Sequence, residues 1–293
     1  MSDETLAEPF EEHRSRLRAV AYRMLGSAAE ADDAVQDAWL RYRRADTDDV
    51  ANLSGWLTTV VARICLNRLR ARRIRPEDSL DAQLPEPIVS DPGGLDPEQE
   101  ALLGDAVGMA MLIVLDQLTP AERVAFVLHD VFAVPFDEVA PIVDRTPAAT
   151  RQLASRARRR VQGTTPRAEP DVARQRAVLD AFLAASRQGD FQALLAVLDP
   201  DVVVRADAGA LAPNVDRVLR GREAVAKRAF TFRGLADGAR PALVNGAAGL
   251  VVFRGRHPFA VMAFTVAGDR IVEIDILADP ERLATVDVSA VSP

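Results

Sequence analysis

Apolar positions three and four residues apart dominate the first part of the chain. Beyond Asp171 the same helical spacing mixes with short apolar runs that read as strands. The clearest pattern lies between Thr119 and Gln162. Thr119-Pro120-Ala121-Glu122 is a capping box with proline at the first helical position. The helix it opens turns Val124, Ala125, Val127, Leu128 and Val131 toward a core. A second helix is predicted over 136–143, with Val139, Ala140 and Val143 at helical spacing. Asp144-Arg145-Thr146-Pro147 makes the turn: Thr146 can accept from the free amides of the next helix, and Pro147 sits where a missing N–H costs nothing. The last helix, 148–162, places Leu153, Ala157 and Val161 inward. It shows Thr150, Arg151, Gln152, Ser155, Arg156, Arg158, Arg159 and Arg160 outward. Polar readers at the start of a helix and cations toward its end suit a DNA major groove between two phosphate walls. A solvated basic helix is the plainer alternative.

Two further helices precede this segment. Ser27-Ala28-Ala29-Glu30 is another capping box. It opens a helix with Ala31, Ala34, Val35, Ala38, Trp39 and Tyr42 on one face. The opposite face carries Asp32, Asp33, Gln36, Asp37, Leu40 and Arg41, a surface for solvent or for docking. A helix over 54–74 buries Trp56, Leu57, Val60, Val61, Ile64 and Leu69 and turns basic from Arg63: Arg68, Arg70, Arg72, Arg73 and Arg75 follow with no acid among them. Two cationic helices imply two contacts with one polyanion.

Between them, residues 76–97 hold five prolines and two glycines among acids such as Glu77, Asp78, Glu86 and Asp91, which reads as an extended acidic linker and not a packed element. Thr164-Thr165-Pro166 opens a second boundary. Past it, helices are predicted over 172–185 and 221–232. Strands are predicted over 202–204, 242–244, 250–254, 259–266 and 270–277, the last pair joined through Ala267-Gly268-Asp269. Helices followed by a curved antiparallel sheet make an α+β domain.

Net charge is −7 with a pI near 5.2, an odd balance for a DNA binder. The pattern outweighs the sum: cations concentrate in 63–75 and 151–160, while acids fill the amino terminus, the helix after Ser27 and the linker. Such a chain binds DNA poorly alone and well beside a large partner that supplies further contacts. No apolar run reaches the roughly 18 residues of a membrane span and no signal peptide is evident, which points to the cytoplasm. Cys65 is single and reads as a small core residue, and His13, His129 and His257 form no metal motif, so no metal or cofactor is expected.

The acidic helix, Trp56-Leu57 with Val60-Val61-Ala62-Arg63, Asn67-Arg68-Leu69-Arg70 and the helix-turn-helix together resemble extracytoplasmic-function sigma factors, the promoter-specificity subunits of bacterial RNA polymerase. Phe126-Val127-Leu128-His129-Asp130 with 136–160 resembles the sigma-J type, which carries a carboxy-terminal domain of the SnoaL or NTF2-like kind, a cone that usually encloses a pocket. The resemblance implies a multidomain protein: a region 2 domain over 1–75, the linker over 76–100, a region 4 domain over 101–163, a short linker over 164–170 and the cone over 171–293. It implies that Asp32, Asp33, Gln36, Asp37, Leu40 and Arg41 dock on the polymerase core, its beta and beta-prime subunits. Arg63, Asn67, Arg68, Arg70, Arg72 and Arg73 would meet the minus-ten element. Thr146, Thr150, Arg151, Gln152, Ser155 and Arg156 would meet the minus-thirty-five element. The acidic linker would thread the polymerase's RNA path.

In related factors a glycine-rich motif with lysine follows the first strand of the cone. Asp207-Ala208-Gly209-Ala210-Leu211 lacks the lysine and two of the glycines, while Asp279-Pro280-Glu281-Arg282-Leu283 matches the terminal motif better. Asp207, Asp279, Pro280 and Leu283 are therefore the expected regulatory contacts. Relatives of the cone include enzymes with a buried Asp or His base, for which Asp207 and Asp275 are the candidates here. Glu273 and Asp275 share a face by strand periodicity, which favours a solvated or interface side, so catalysis is not expected. Two other functions stay open: a one-component regulator that senses a small ligand in the cone, and a SnoaL-like enzyme activity.

Overall fold

The computed structural model describes residues 3–45, 50–74, 84–94, 108–164, 168–209 and 217–291. The chain divides into two compact units, one formed by residues 1–82 and 112–164, the other by 83–111 and 165–293.

The first unit is helical. Its opening helix α1 (Asp3–Leu25) has no capping box to announce it, but Phe10, Leu17, Val20, Ala21 and Met24 form a buried stripe. Ser27 caps α2 (Ala28–Tyr42) by accepting from the Glu30 amide. Ala31, Ala34, Val35, Ala38 and Tyr42 are buried as expected, whereas Trp39 is half-buried, in an aromatic cluster with Phe10 (5.1 Å) and Tyr42 (6.0 Å). Helix α3 (Leu53–Ile74) packs Leu57, Val61, Ile64, Cys65 and Leu69 against α1 and α2. Burial pushes the Cys65 thiol up to about 12, so it stays protonated and serves as core filling.

The chain continues through α4 (Met109–Asp116) to α5 (Pro120–Phe126), where Thr119 and Glu122 complete the predicted capping box in both directions. A wider π turn (Val127–Val131) follows and ends at Ala133, whose φ of 56° is left-handed. The second helix, α6 (Phe136–Val139), is shorter than the span 136–143, and Asp144 at φ 56° closes the turn. Helix α7 (Pro147–Thr164) is the predicted third helix, with Thr146 accepting from the Ala149 amide (3.2 Å).

The second unit is α+β, helices packed on a mixed sheet. Helices α8 (Val172–Gln188), α9 (Phe191–Val197) and α10 (Arg222–Thr231) cover one face of a seven-stranded sheet. The strands are β1 (Val89–Ser90), β2 (Leu198–Asp207), β3 (Val218–Arg220), β4 (Ala239–Val244), β5 (Ala247–Arg254), β6 (His257–Ala267) and β7 (Arg270–Leu277), in the order β1-β4-β5-β6-β7-β2-β3. All pairs are antiparallel except β2 with β7. A turn of α-helix, α11 (Pro280–Leu283), then packs on β6. Under the helices lie Val178, Phe182, Leu194, Val204, Leu250, Phe264, Ile271 and Ile274.

Two expectations fail here. Strict two-residue alternation puts Ile271 on the face of Glu273 and Asp275, but the register shifts between Thr265 and Val266, and Ile271 joins Ile274 beneath the helices. That face is not solvated: Glu273 and Asp275 are 6 % and 2 % exposed. The described part of the acidic segment is also packed. Residues 84 to 90 are extended but mostly buried, and Val89 and Ser90 pair with Val244 and Leu243 at the sheet edge.

Candidate functional site

The acidic face of α2 forms as expected. Asp32, Asp33, Gln36, Leu40 and Arg41 are exposed, and Leu40, at 40 %, is one of four large apolar side chains exposed among the described residues. Two of its carboxylates have internal partners: Asp32 pairs with Arg18 (2.5 Å) and half-buried Asp37 with Arg68 (2.8 Å).

The basic end of α3 is only partly open. Arg68 also donates to the Glu30 carbonyl (3.0 Å). Arg72 pairs with Glu30 and donates to the Leu25 carbonyl (3.1 Å), capping the end of α1. Arg70 reaches Asp144 (3.4 Å), across the gap between the two predicted DNA-binding regions. Arg63, Asn67 and Arg73 are exposed and make no ion pair among the described residues. Arg70, Arg73 and Arg145 line an open cleft of about 400 Å3 with Thr119, Pro120 and Ala121.

On α7 the arginine face is present, with one correction. Thr150 does not point outward: it is fully buried, and its hydroxyl donates to the Thr146 carbonyl (3.0 Å). The buried stripe is Thr150, Ala154, Ala157 and Val161, one residue off the predicted Leu153 at its second position, and this removes Thr150 from any base-reading surface. Arg151, Gln152, Ser155 and Arg156 are exposed beside exposed Thr146. Acids from neighbouring elements meet several of the cations: Glu122 faces Arg156 (3.7 Å) and Arg160 (3.5 Å), and Asp130 pairs with Arg158. Arg151 lies over the Phe136 ring (5.1 Å).

Arg123 has no counterpart among the expected residues. It is 2 % exposed, pairs with Asp116 (2.9 Å) and donates from Nε to the Arg23 carbonyl (3.4 Å) at the end of α1. Burial lowers its pKa and the Asp116 carboxylate opposes that shift. Arg23 in turn stacks over Phe132 (5.0 Å). These contacts close the α1–α3 bundle onto the helix-turn-helix within the first unit. Arginine inside an apolar run of α5 is the one sequence signal that could have pointed to it.

In the second unit the structure brings Asp207 and Asp279 together around Arg282. Asp279 caps α11, accepting from the Glu281 amide (2.9 Å), while Pro280 and Leu283 form the turn, Leu283 buried. The guanidinium of Arg282 pairs with Asp207 and donates to the carbonyl of Leu84 in the linker. Asn245 completes the grip: its side-chain Oδ1 accepts from the Ile88 main-chain N–H (3.0 Å) and its main-chain N–H donates to the Ile88 carbonyl (2.8 Å). Asn245 is fully buried at φ 53°. The Asn245-Gly246 pair is a hairpin signal, but its partner lies 157 positions away and leaves no local mark. Arg205, half-buried on the other face of the sheet, holds Asp275 (3.0 Å) and Glu273 (2.7 Å) together. Burial outweighs the shared guanidinium and raises Asp275 to about 7.

Among the described residues no helix is long and apolar enough to cross a membrane. The Sigma-70 region 2 family matches residues 9–74 and the Sigma-70, region 4 family matches 109–161. The chain is 38% identical to the ECF RNA polymerase sigma factor SigJ of Mycobacterium tuberculosis H37Rv, over 93% of this chain and 91% of that one. It is 35% identical to the probable ECF sigma factor SigI of the same species, over 92% of each. The crystal structure of M. tuberculosis SigJ superposes with a TM-score of 0.79 at 35% identity, covering 96% of this chain and 99% of that one.

Proposed function

The chain belongs to the extracytoplasmic-function sigma factors, and from that premise we propose how its carboxy-terminal domain controls the two DNA-binding regions. As a sigma factor it binds core RNA polymerase and promoter DNA and directs initiation. The proposal is that the domain acts by holding the linker, in place of a separate anti-sigma protein. The observation that carries it is the grip on residues 84–90 by β4, Asn245 and Arg282. That segment lies between α3 and α4 in the chain. Once it is fixed, region 2 is tethered by the nine residues 75–83, which reach at most about 30 Å. Within the first unit the Arg123 contacts hold the two regions together, and when those contacts part, the freed separation is limited by this shortened tether and not by the full length of the linker. In this resting form Arg68, Arg70 and Arg72 are occupied by internal partners, and binding DNA means exchanging those partners for phosphates.

The docking surface on core polymerase is Asp33, Gln36, Leu40 and Arg41, with Asp32 and Asp37 braced by Arg18 and Arg68. The beta-prime clamp is the partner we assign to it. Arg63, Asn67 and Arg73, followed by the three occupied arginines, serve the minus-ten element. Arg151, Gln152, Ser155 and Arg156 beside Thr146 serve the minus-thirty-five element. Asp275 and Glu273 face away from the helix-covered core and share Arg205, and Asp207 is held by Arg282, contacts that support a structural reading of both candidate bases. A Leu40→Asp variant tests the docking surface, because it changes an exposed side chain with no internal ion pair. It should fail to co-purify with core polymerase while unfolding at the wild-type temperature. Normal co-purification would refute the assignment. Spin labels at Gln36→Cys and Gln152→Cys test the tether, since buried Cys65 stays unlabelled. In an Arg123→Met background, where the direct tie between the regions is cut, the distance between them should broaden and lengthen further when Asn245 and Arg282 are both changed to Ala.

A further inference from the structure

The second unit carries a basic surface that the sigma regions do not use. Residues 217–260 hold nine arginine and lysine residues against two acids, Glu223 and Asp237, in a chain whose net charge is −7. Several of these cations lie beside exposed rings. Phe230 and Phe232, at the end of α10, are 39 % and 46 % exposed, two of the four large apolar side chains exposed among the described residues. Arg233 lies over the Phe230 ring (4.5 Å) and Arg228 over the Phe232 ring (5.8 Å). Gly189, left-handed at φ 68° at the end of α8, sits directly against the Phe230 ring. The 3₁₀ turn Arg233–Gly238 follows, anchored where the Arg187 Nε donates to the Ala236 carbonyl (3.2 Å). Gly238 lies against the Phe253 carbonyl so closely that any side chain would collide, which fixes this turn beside the end of β5. There Arg254 covers Phe259 (4.4 Å), exposed Arg256 lies in the β5–β6 turn, and exposed His257 opens β6.

We propose that this surface, centred on Phe230, Phe232, Arg228, Arg233, Arg254 and Arg256, binds single-stranded nucleic acid. Rings interleaved with guanidiniums match a strand that offers both π-faces and phosphates: bases stack on the rings and on guanidinium planes, and the outward N–H groups meet the backbone. Duplex DNA keeps its base faces stacked internally and would use the charges alone. An acidic peptide would also use the charges alone and leave the exposed rings without partners.

The test uses the full-length protein and fluorescence anisotropy with a labelled oligothymidylate of about 15 nucleotides. Region 2 also contacts DNA, so the measurement is repeated in an Arg63→Ala/Arg73→Ala background. Phe230→Ala with Phe232→Ala should weaken binding about tenfold or more in both backgrounds. Tyrosine at both positions should restore it, and ultraviolet crosslinks should map to residues 230–233. Arg233→Ala should lower the salt slope by about 0.7. Unchanged affinity in the double Phe variant would overturn the proposal. So would an equal loss of affinity for a duplex of the same length, or poly-glutamate of equal charge competing as well as the oligonucleotide. The assay contains neither polymerase nor promoter, so its failure would leave the sigma function standing.

Discussion

The two units hold their charges in opposite ways. In the helical unit several ion pairs join neighbouring helices at the surface, such as Arg18–Asp32, Arg68–Asp37 and Arg72–Glu30. Pairs of that kind contribute about 0–1 kcal/mol and are screened by salt. In the sheet unit, beside the local Arg174–Glu169 pair, three pairs close over 68 to 75 residues of sequence, Arg205 with Glu273 and with Asp275 and Arg282 with Asp207, and their carboxylates are largely or wholly buried. A buried pair is costly to break because it strands a charge in low dielectric. The helical unit is therefore built to release its arginines to phosphate, and the sheet unit to keep its own. Arg123 is the exception that ties the two DNA-binding regions together inside the helical unit.

The largest effect that sharpens this contrast should come from Arg205→Met. It leaves two buried carboxylates without a cation and should cost about 3 kcal/mol at pH 8, read by urea unfolding. The loss should shrink near pH 5, where Asp275 can take a proton. A pH-independent loss would break the argument.

Asp275→Asn examines the same triad by titration. Its carboxyl rises from 3.8 to about 7 in the folded protein, so the native state holds a proton that the unfolded chain has released. The wild type should lose stability as pH rises from about 4 to 7, at up to about 1.4 kcal/mol per pH unit from this group. The Asn variant should lack that slope, and identical pH profiles would assign the burial no electrostatic consequence.

Arg151→Ala should relax base preference at one position of the minus-thirty-five element, worth roughly 1–3 kcal/mol of discrimination in a randomised-promoter selection. A uniform loss over all sequences would make Arg151 a phosphate contact. The smallest effect should be that of Arg18→Ala, below about 1 kcal/mol and vanishing in high salt. A loss comparable to Arg205→Met would erase the distinction between the units.

Much of the helical unit is legible in the sequence because its signals are local. The boxes at Ser27 and Thr119 and the Thr146-Pro147 turn each lie within four residues, and each caps the expected helix. Pattern alone counts Thr150 as polar and turns it outward, whereas a threonine whose hydroxyl bonds back to the preceding turn's carbonyl is satisfied when buried. The strands of the sheet are legible but their extents and faces are not, because the shift between Thr265 and Val266 interrupts the two-residue period. The linker's docking leaves no local trace. A proline-rich acidic stretch reads as solvated until Asn245 and Arg282, both more than 150 positions away, supply its hydrogen bonds.

The central claim is that the sheet unit governs initiation through its hold on the linker, and run-off transcription with core polymerase tests it most directly. Asn245→Ala with Arg282→Ala should raise transcript yield several-fold at unchanged core affinity. Equal yields from the wild type and the double variant, with the linker shown by hydrogen exchange at residues 84–90 to be released, would contradict the claim.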